Sequence, residues 1–168
     1  PVTLAFGPLP AAVDAAGENE TVLVGSDAPV DETVTVDTRN VTITGVGNPT
    51  LTPSVTDTAV DVTADETTIE GITFASDAAA GATAVGVDAD ATGTELSEVT
   101  FVGTADATWD RAVADAGTDT TIRYATIRGV EYGVYATGDD LAVIDSDIRD
   151  SENATELVAG ASNVTIRN

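Results

Sequence analysis

Apolar and polar residues alternate along most of this chain in short runs that stop at a turn residue. Asn40-Val41-Thr42-Ile43-Thr44-Gly45 is one such run. Thr67-Thr68-Ile69-Glu70-Gly71, Thr94-Glu95-Leu96-Ser97 and Asp119-Thr120-Thr121-Ile122-Arg123 repeat it, as do Asp140-Leu141-Ala142-Val143-Ile144 and Asn163-Val164-Thr165-Ile166-Arg167. A period of two marks a half-buried strand. The central apolar residues are Ile43, Ile69, Leu96, Ile122, Val143 and Ile166, with spacings of 26, 27, 26, 21 and 23 residues. A near-constant repeat of this length predicts a solenoid, one unit stacked on the next.

Two further strands are predicted in each repeat. Ile72-Thr73-Phe74, Val99-Thr100-Phe101, Ala125-Thr126-Ile127 and Ser146-Asp147-Ile148 follow the first strand closely. Ala59-Val60-Asp61-Val62, Ala84-Val85-Gly86-Val87, Ala112-Val113-Ala114, Gly133-Val134-Tyr135 and Glu156-Leu157-Val158 close the loop. Three short strands per repeat, with no helix between them, predict an all-β right-handed parallel β-helix whose apolar ladders face inward. An antiparallel sandwich also has many short strands, but gives no reason for one apolar position per repeat. Residues Val102–Arg111, which include Trp109, are expected as an outward loop.

The N-terminal third reads differently. Pro1–Pro10 is expected as an extended arm. Leu9, Ala12, Val13 and Ala16 fall at i, i+3, i+4 and i+7, which predicts a short amphipathic helix over Pro8–Ala16, ended by Gly17. Thr21–Val24 and Thr33–Val36 are strands, with Gly25–Pro29 a turn between them. The predicted organisation is therefore an arm, capping helix and first strands over 1–38, then rungs over 39–168. We expect one continuous domain that belongs to a larger protein.

Charge narrows the function. The chain has 6 Lys+Arg, all of them Arg, against 29 Asp+Glu, a formal net charge of -23. Nucleic acid is excluded as a partner, because its binding needs a positive surface to displace counterions. Self-repulsion at this density is relieved by concentrated salt. No apolar run reaches the ~20 residues of a membrane span. His, Cys and Met are absent, so no disulfide, zinc or copper set is available. Asn-x-Thr acceptors at Asn19, Asn40, Asn153 and Asn163 point to export and glycosylation. Asn19 and Asn153, flanked by turn-like residues, are the better candidates.

The composition, rich in Asp, Glu, Thr, Ala and Val, resembles that of proteins from extremely halophilic archaea. The series Ala11–Gly17, Glu20–Val24, Val34–Val36, Asn40–Gly45 resembles the start of pectate-lyase-like β-helix domains. The later rungs, with units such as Tyr132-Gly133-Val134-Tyr135, are similar to the NosD-like and surface-protein branch. The resemblance implies a helix capping the first coil. It leaves activity open, because this fold carries lyases, hydrolases, adhesins and structural repeats alike.

That scaffold offers several candidate sites. Polygalacturonases on this fold use three aspartates with His and basic residues. Gly138-Asp139-Asp140 and Thr118-Asp119 resemble their aspartates, but the His and Lys are missing. Pectate lyases bind Ca²⁺ through carboxylates and use Arg or Lys as base. Asp145, Asp147 and Asp150 beside Arg149, with Arg123 and Arg128 one rung earlier, resemble such a set; rung-to-rung ion pairing explains them equally. Asp37, Asp65, Glu66, Glu95, Asp119, Asp139 and Asp140 are expected to form an acidic ridge, whose oxygen ligands would suit weakly bound Ca²⁺ or Mg²⁺. Trp109, Tyr132 and Tyr135 are candidates for stacking on sugar rings, with packing as their ordinary alternative.

These readings favour a structural β-helix domain of a secreted or cell-surface haloarchaeal protein. It would serve as a spacer or as a subunit of an envelope, filament or virion assembly, with other copies or other envelope proteins as partners at its last rung. The alternative is a carbohydrate-binding or carbohydrate-active module. Catalysis is left open, with no catalytic residue assigned.

Overall fold

The computed structural model describes residues 2–5, 8–25, 28–30, 33–54, 56–76, 82–103, 109–158 and 160–167. Strand β1 (Val2–Ala5) and helix α1 (Leu9–Asp14) precede the coils. The chain then runs β2 (Thr21–Val24), β3 (Ala28–Val30), β4 (Val34–Val36), β5 (Thr42–Gly45), β6 (Thr50–Pro53) and β7 (Thr58–Val62). Next come β8 (Thr68–Glu70), β9 (Thr73–Ala75), β10 (Thr83–Val87), β11 (Glu95–Ser97), β12 (Thr100–Val102) and β13 (Arg111–Asp115). Strands β14 (Thr121–Arg123), β15 (Thr126–Arg128), β16 (Tyr132–Ala136), β17 (Ala142–Ile144), β18 (Asp147–Arg149), β19 (Asn153–Leu157) and β20 (Thr165–Arg167) complete it.

Every third strand stacks on its predecessor, and all pairs are parallel. One eight-stranded sheet runs β1-β2-β5-β8-β11-β14-β17-β20. A six-stranded sheet runs β3-β6-β9-β12-β15-β18, and another runs β4-β7-β10-β13-β16-β19. The molecule is thus a parallel β-solenoid with three strands per rung and one short helix near its N-terminus.

The predicted ladders are in register. Val22, Ile43, Ile69, Leu96, Ile122, Val143 and Ile166 stack in the first sheet. Leu51, Phe74, Phe101, Ile127 and Ile148 stack in the second. Both rows point inward and are almost fully buried up to the last rung, where Ile166 is 55% exposed. Burial of such side chains is the main stabilising term, about 1.5–3 kcal/mol each.

Sharp corners separate the strands, and many of those among the described residues rest on a residue in the left-handed region. At the corner before the first sheet these are Asn19, Asn40, Glu66, Gly93, Asp119, Asp140 and Asn163. Gly71, Glu98, Tyr124 and Asp145 hold the next corner. Short polar side chains and glycine tolerate this backbone best. The corner amides continue the stack: Asp119 N donates to Asp139 O at 3.1 Å, and Asp140 N to Ser162 O at 3.0 Å.

Four expectations are corrected here. Val2–Ala5 is not a loose arm but pairs with β2. Ala28–Val30, whose Ala28 and Pro29 were expected in the turn Gly25–Pro29, is a strand paired with β6; the prolines at 29, 49 and 53 hid both strands in the sequence. In the last complete coil Thr155, not Leu157, stands beside Val134, and Leu157 pairs with Ala136. Trp109 is not on an outward loop: it is 0% exposed and lies in the core, and residues 104–108 lie outside the described residues. The helix agrees with expectation. Leu9, Val13 and Ala16 are buried, and α1 packs chiefly on β4, covering that end of the coil.

Candidate functional site

The outer face of the sheet β4-β7-β10-β13-β16-β19 carries an open depression. Its outward positions are set by the register. Asp61, Gly86, Ala114, Tyr135 and Glu156 form one row. Thr58, Thr83, Arg111, Tyr132 and Asn153 form the other. Gly86 and Ala114 raise little or no side chain, so the floor stays low between Asp61 and Tyr135. The result is an open cleft of about 330 Å³ walled by Asp61, Asp88, Arg111 and Tyr135, with Ala114, Asp115 and Thr137 among its other lining residues.

The walls are held by specific contacts. The Arg111 guanidinium carbon lies 4.2 Å from the centroid of the Tyr135 ring, a cation–π pair. Tyr132 meets Tyr135 edge-on, with centroids 5.9 Å apart at 82°. Arg111 Nη2 is 3.6 Å from Asp110 Oδ2. Burial, then the charges of Asp88 and Asp57, pushes the Asp61 carboxyl above the usual range. Glu156, then burial, pushes the Tyr132 phenol up.

Asp115 is unusual. It occupies an inward ladder position beside Val87 and Ala136 and is 1% exposed. Its Oδ1 accepts from Thr120 Oγ1 at 2.8 Å and from Gly117 N at 3.2 Å. Its Oδ2 is buried without a partner, as is Arg111 Nε. Burial raises the Asp115 carboxyl above its usual range, and the two hydrogen bonds oppose this.

The candidates from sequence are distributed elsewhere. Asp119 and Asp140 stack at one corner, each in the left-handed region. Asp139, one residue before, accepts from Ser162 Oγ at 2.6 Å. Glu95 leaves this acidic ridge: it stands on β11 and pairs with Arg123. Asp145 sits at the following corner, and Asp147 pairs with Arg149 along β18 at 3.4 Å. Arg128 lies directly beneath Arg149. Among the described residues, no three carboxylates come together in a group able to hold a metal ion. The expected Ca²⁺ or Mg²⁺ set of Asp119, Asp139, Asp140, Asp145 and Asp147 is therefore dispersed over two corners and a strand.

Of the expected stacking residues, Tyr132 and Tyr135 share the cleft face, whereas Trp109 is enclosed and offers no ring face to a ligand. Among the acceptor asparagines, Asn19, Asn153 and Asn163 are exposed. Asn40 is half-buried, and its Nδ2 donates to Asn19 Oδ1 at 2.8 Å across adjacent rungs.

Sequence reasoning missed Asp61, Asp88, Arg111 and Asp115 as cleft residues. The available signal was the one-per-rung outward row, whose Gly86 and Ala114 break an otherwise bulkier series.

No protein-family model and no curated protein matches the chain. Among solved structures it is similar to an alginate lyase from Paenibacillus sp. str. FPU-7, with a TM-score of 0.68 at 15% identity. The match covers 95% of this chain and 58% of that lyase. At that identity the likeness shows the fold alone, a parallel β-solenoid.

Proposed function

We propose that this chain is a carbohydrate-engaging β-helix domain of a secreted or cell-surface protein built for concentrated salt, and that it holds sugar without cleaving it. The observation that carries the reading is the cleft in which Arg111 lies on Tyr135 opposite Asp61. Aromatic edge, planar donor and carboxylate acceptors are the groups that orient a hydroxylated ring. The lyase neighbour supports the same reading, because its fold carries carbohydrate chemistry there. A binding role is favoured over turnover because the His and Lys that accompany the aspartates of hydrolases on this fold are absent from the sequence. Exposed acceptors at Asn19, Asn153 and Asn163 and the charge of -23 support an exported, haloarchaeal setting. The test is retention on immobilised polysaccharides in molar salt. Wild type is expected to be retained and Tyr135→Ala to pass through; equal behaviour of the two would overturn the reading.

A second role has its own observation. Among the described residues, strands β18, β19 and β20 each lack a neighbour on one side, and Leu157 and Ile166, at ladder positions, are 51% and 55% exposed. Another rung, from further chain or from a partner in an envelope, filament or virion, would bury both. Spacer and assembly functions remain compatible with a sugar-holding face. Light scattering of wild type against Ile166→Asp checks this: association lost in the variant supports it, and a monomer in both counts against it.

A further inference from the structure

The cleft has a charge pattern that selects among sugars. Asp61, Asp88 and Asp115 line it against one cation, Arg111, and Arg111 already faces Asp110. Arg39, Arg123 and Arg149 are engaged with Glu66, Glu95 and Asp147 elsewhere. Asp61 has no hydrogen-bond or ion-pair partner among the described residues, whereas Asp88 Oδ1 accepts only from the neighbouring Ala89 N, at 2.7 Å. Asp61 is half-buried, and its nearest charges are the like-signed Asp88 and Asp57. A carboxylate drawn partly out of water beside another carboxylate is stabilised by taking up a proton or by a positive group brought from outside.

Two further polar atoms of cleft-lining residues, Arg111 Nε and Asp115 Oδ2, are buried without partners. Native proteins leave few such atoms unsatisfied unless a water or ligand completes them. A uronate would bring its negative charge against Asp61 and Asp88, with one guanidinium, already shared with Asp110, to receive it. The pattern therefore runs against the polyuronate named for the structural neighbour.

We propose that the cleft binds an amino sugar, with a protonated primary amine received between Asp61 and Asp88 and the ring set against Tyr135 and Arg111. This rests on the carbohydrate-engaging reading above and adds the class of sugar. Gly86 serves the same site: a Cβ there would lie 3.1 Å from Thr58 Cγ2 and 3.5 Å from Asp61 Oδ1, crowding the carboxylate that receives the amine.

The experiment titrates the full chain by calorimetry with three probes: a β-1,4-linked glucosamine hexamer, its fully N-acetylated counterpart and a mannuronate hexamer. The glucosamine hexamer is expected to bind, the acetylated one about tenfold more weakly, and the mannuronate hexamer not measurably. Asp61→Asn and Asp88→Asn should each weaken glucosamine binding about tenfold. Asp140→Asn, which removes the same charge at a distant corner, should leave it unchanged. Both cleft substitutions lie outside the core, and circular dichroism confirms that the variants fold. Equal binding of the free and acetylated hexamers overturns the amine inference while the glycan reading stands; so does preference for mannuronate. Equal loss in Asp140→Asn overturns the inference by showing diffuse attraction to an acidic surface. Binding of no hexamer overturns both the inference and the reading beneath it.

Discussion

Phe74 and Phe101 stack face to face inside the solenoid, with ring centroids 5.3 Å apart and planes 12° from parallel. They are consecutive members of one inward ladder, so each ring fills the floor left by the other. Phe101→Ala would leave a cavity that parallel strands on both sides cannot collapse to fill. The expected loss is about 3–5 kcal/mol, read as a lower denaturant midpoint; a loss below about 1 kcal/mol would mean the ladder is not tightly packed.

Close stacking also limits the corners. A Cβ at Gly138 would come within 2.8 Å of the Ala116 carbonyl carbon and 2.9 Å of Gly117 N, both backbone atoms of the preceding rung. Gly138→Ala is expected to cost about 1–3 kcal/mol or more. Gly25→Ala, where nothing lies within 4 Å, should be nearly neutral. Thermal melts of the two variants side by side check the contrast.

Asp115 makes stability depend on pH. Its folded carboxyl titrates above the unfolded value of 3.8 because burial penalises the charged form. The sign follows from linkage: the neutral form is favoured in the fold, so the contribution is complete below the unfolded value. It is lost as pH rises through the raised, folded value. The stability of wild type relative to Asp115→Asn should therefore fall as pH climbs from about 3.8 toward neutrality. Parallel denaturant titrations at acidic and neutral pH measure this, and an unchanged difference would show that Asp115 is not desolvated.

The charge of -23 predicts a strong response to salt. Going from about 0.1 M to about 3 M KCl shortens the Debye length from about 10 Å to under 3 Å. The melting temperature should rise, most steeply at low salt where screening changes most. Arg39, 2.8 Å from Glu66, is an exposed pair and should contribute little: Arg39→Gln is expected to leave the melting temperature nearly unchanged.

The solenoid was legible because one β-branched or aromatic residue marks each inward position once per rung. Ile43, Ile69, Leu96 and Ile122 show this without help from any neighbour in sequence. The first coil was less legible, since Pro29 and Pro53 sit within strands that the sequence made look like turns. The site was hardest to foresee for a geometric reason. Asp61, Gly86, Ala114 and Tyr135 are adjacent only through strand register; along the chain each is one outward residue among many. Trp109 misled in the opposite sense: its neighbours in sequence suggested a loop, yet its large apolar surface is enclosed in the core.

The most direct measurement is a titration of the isotopically labelled protein with the glucosamine hexamer, followed by amide chemical shifts. The account predicts that perturbations concentrate at Asp61, Gly86, Asp88, Ala114 and Tyr135, five positions brought together by the stacking of four rungs. Shifts confined to the Asp119 and Asp140 corner, or no shifts at all, would contradict it.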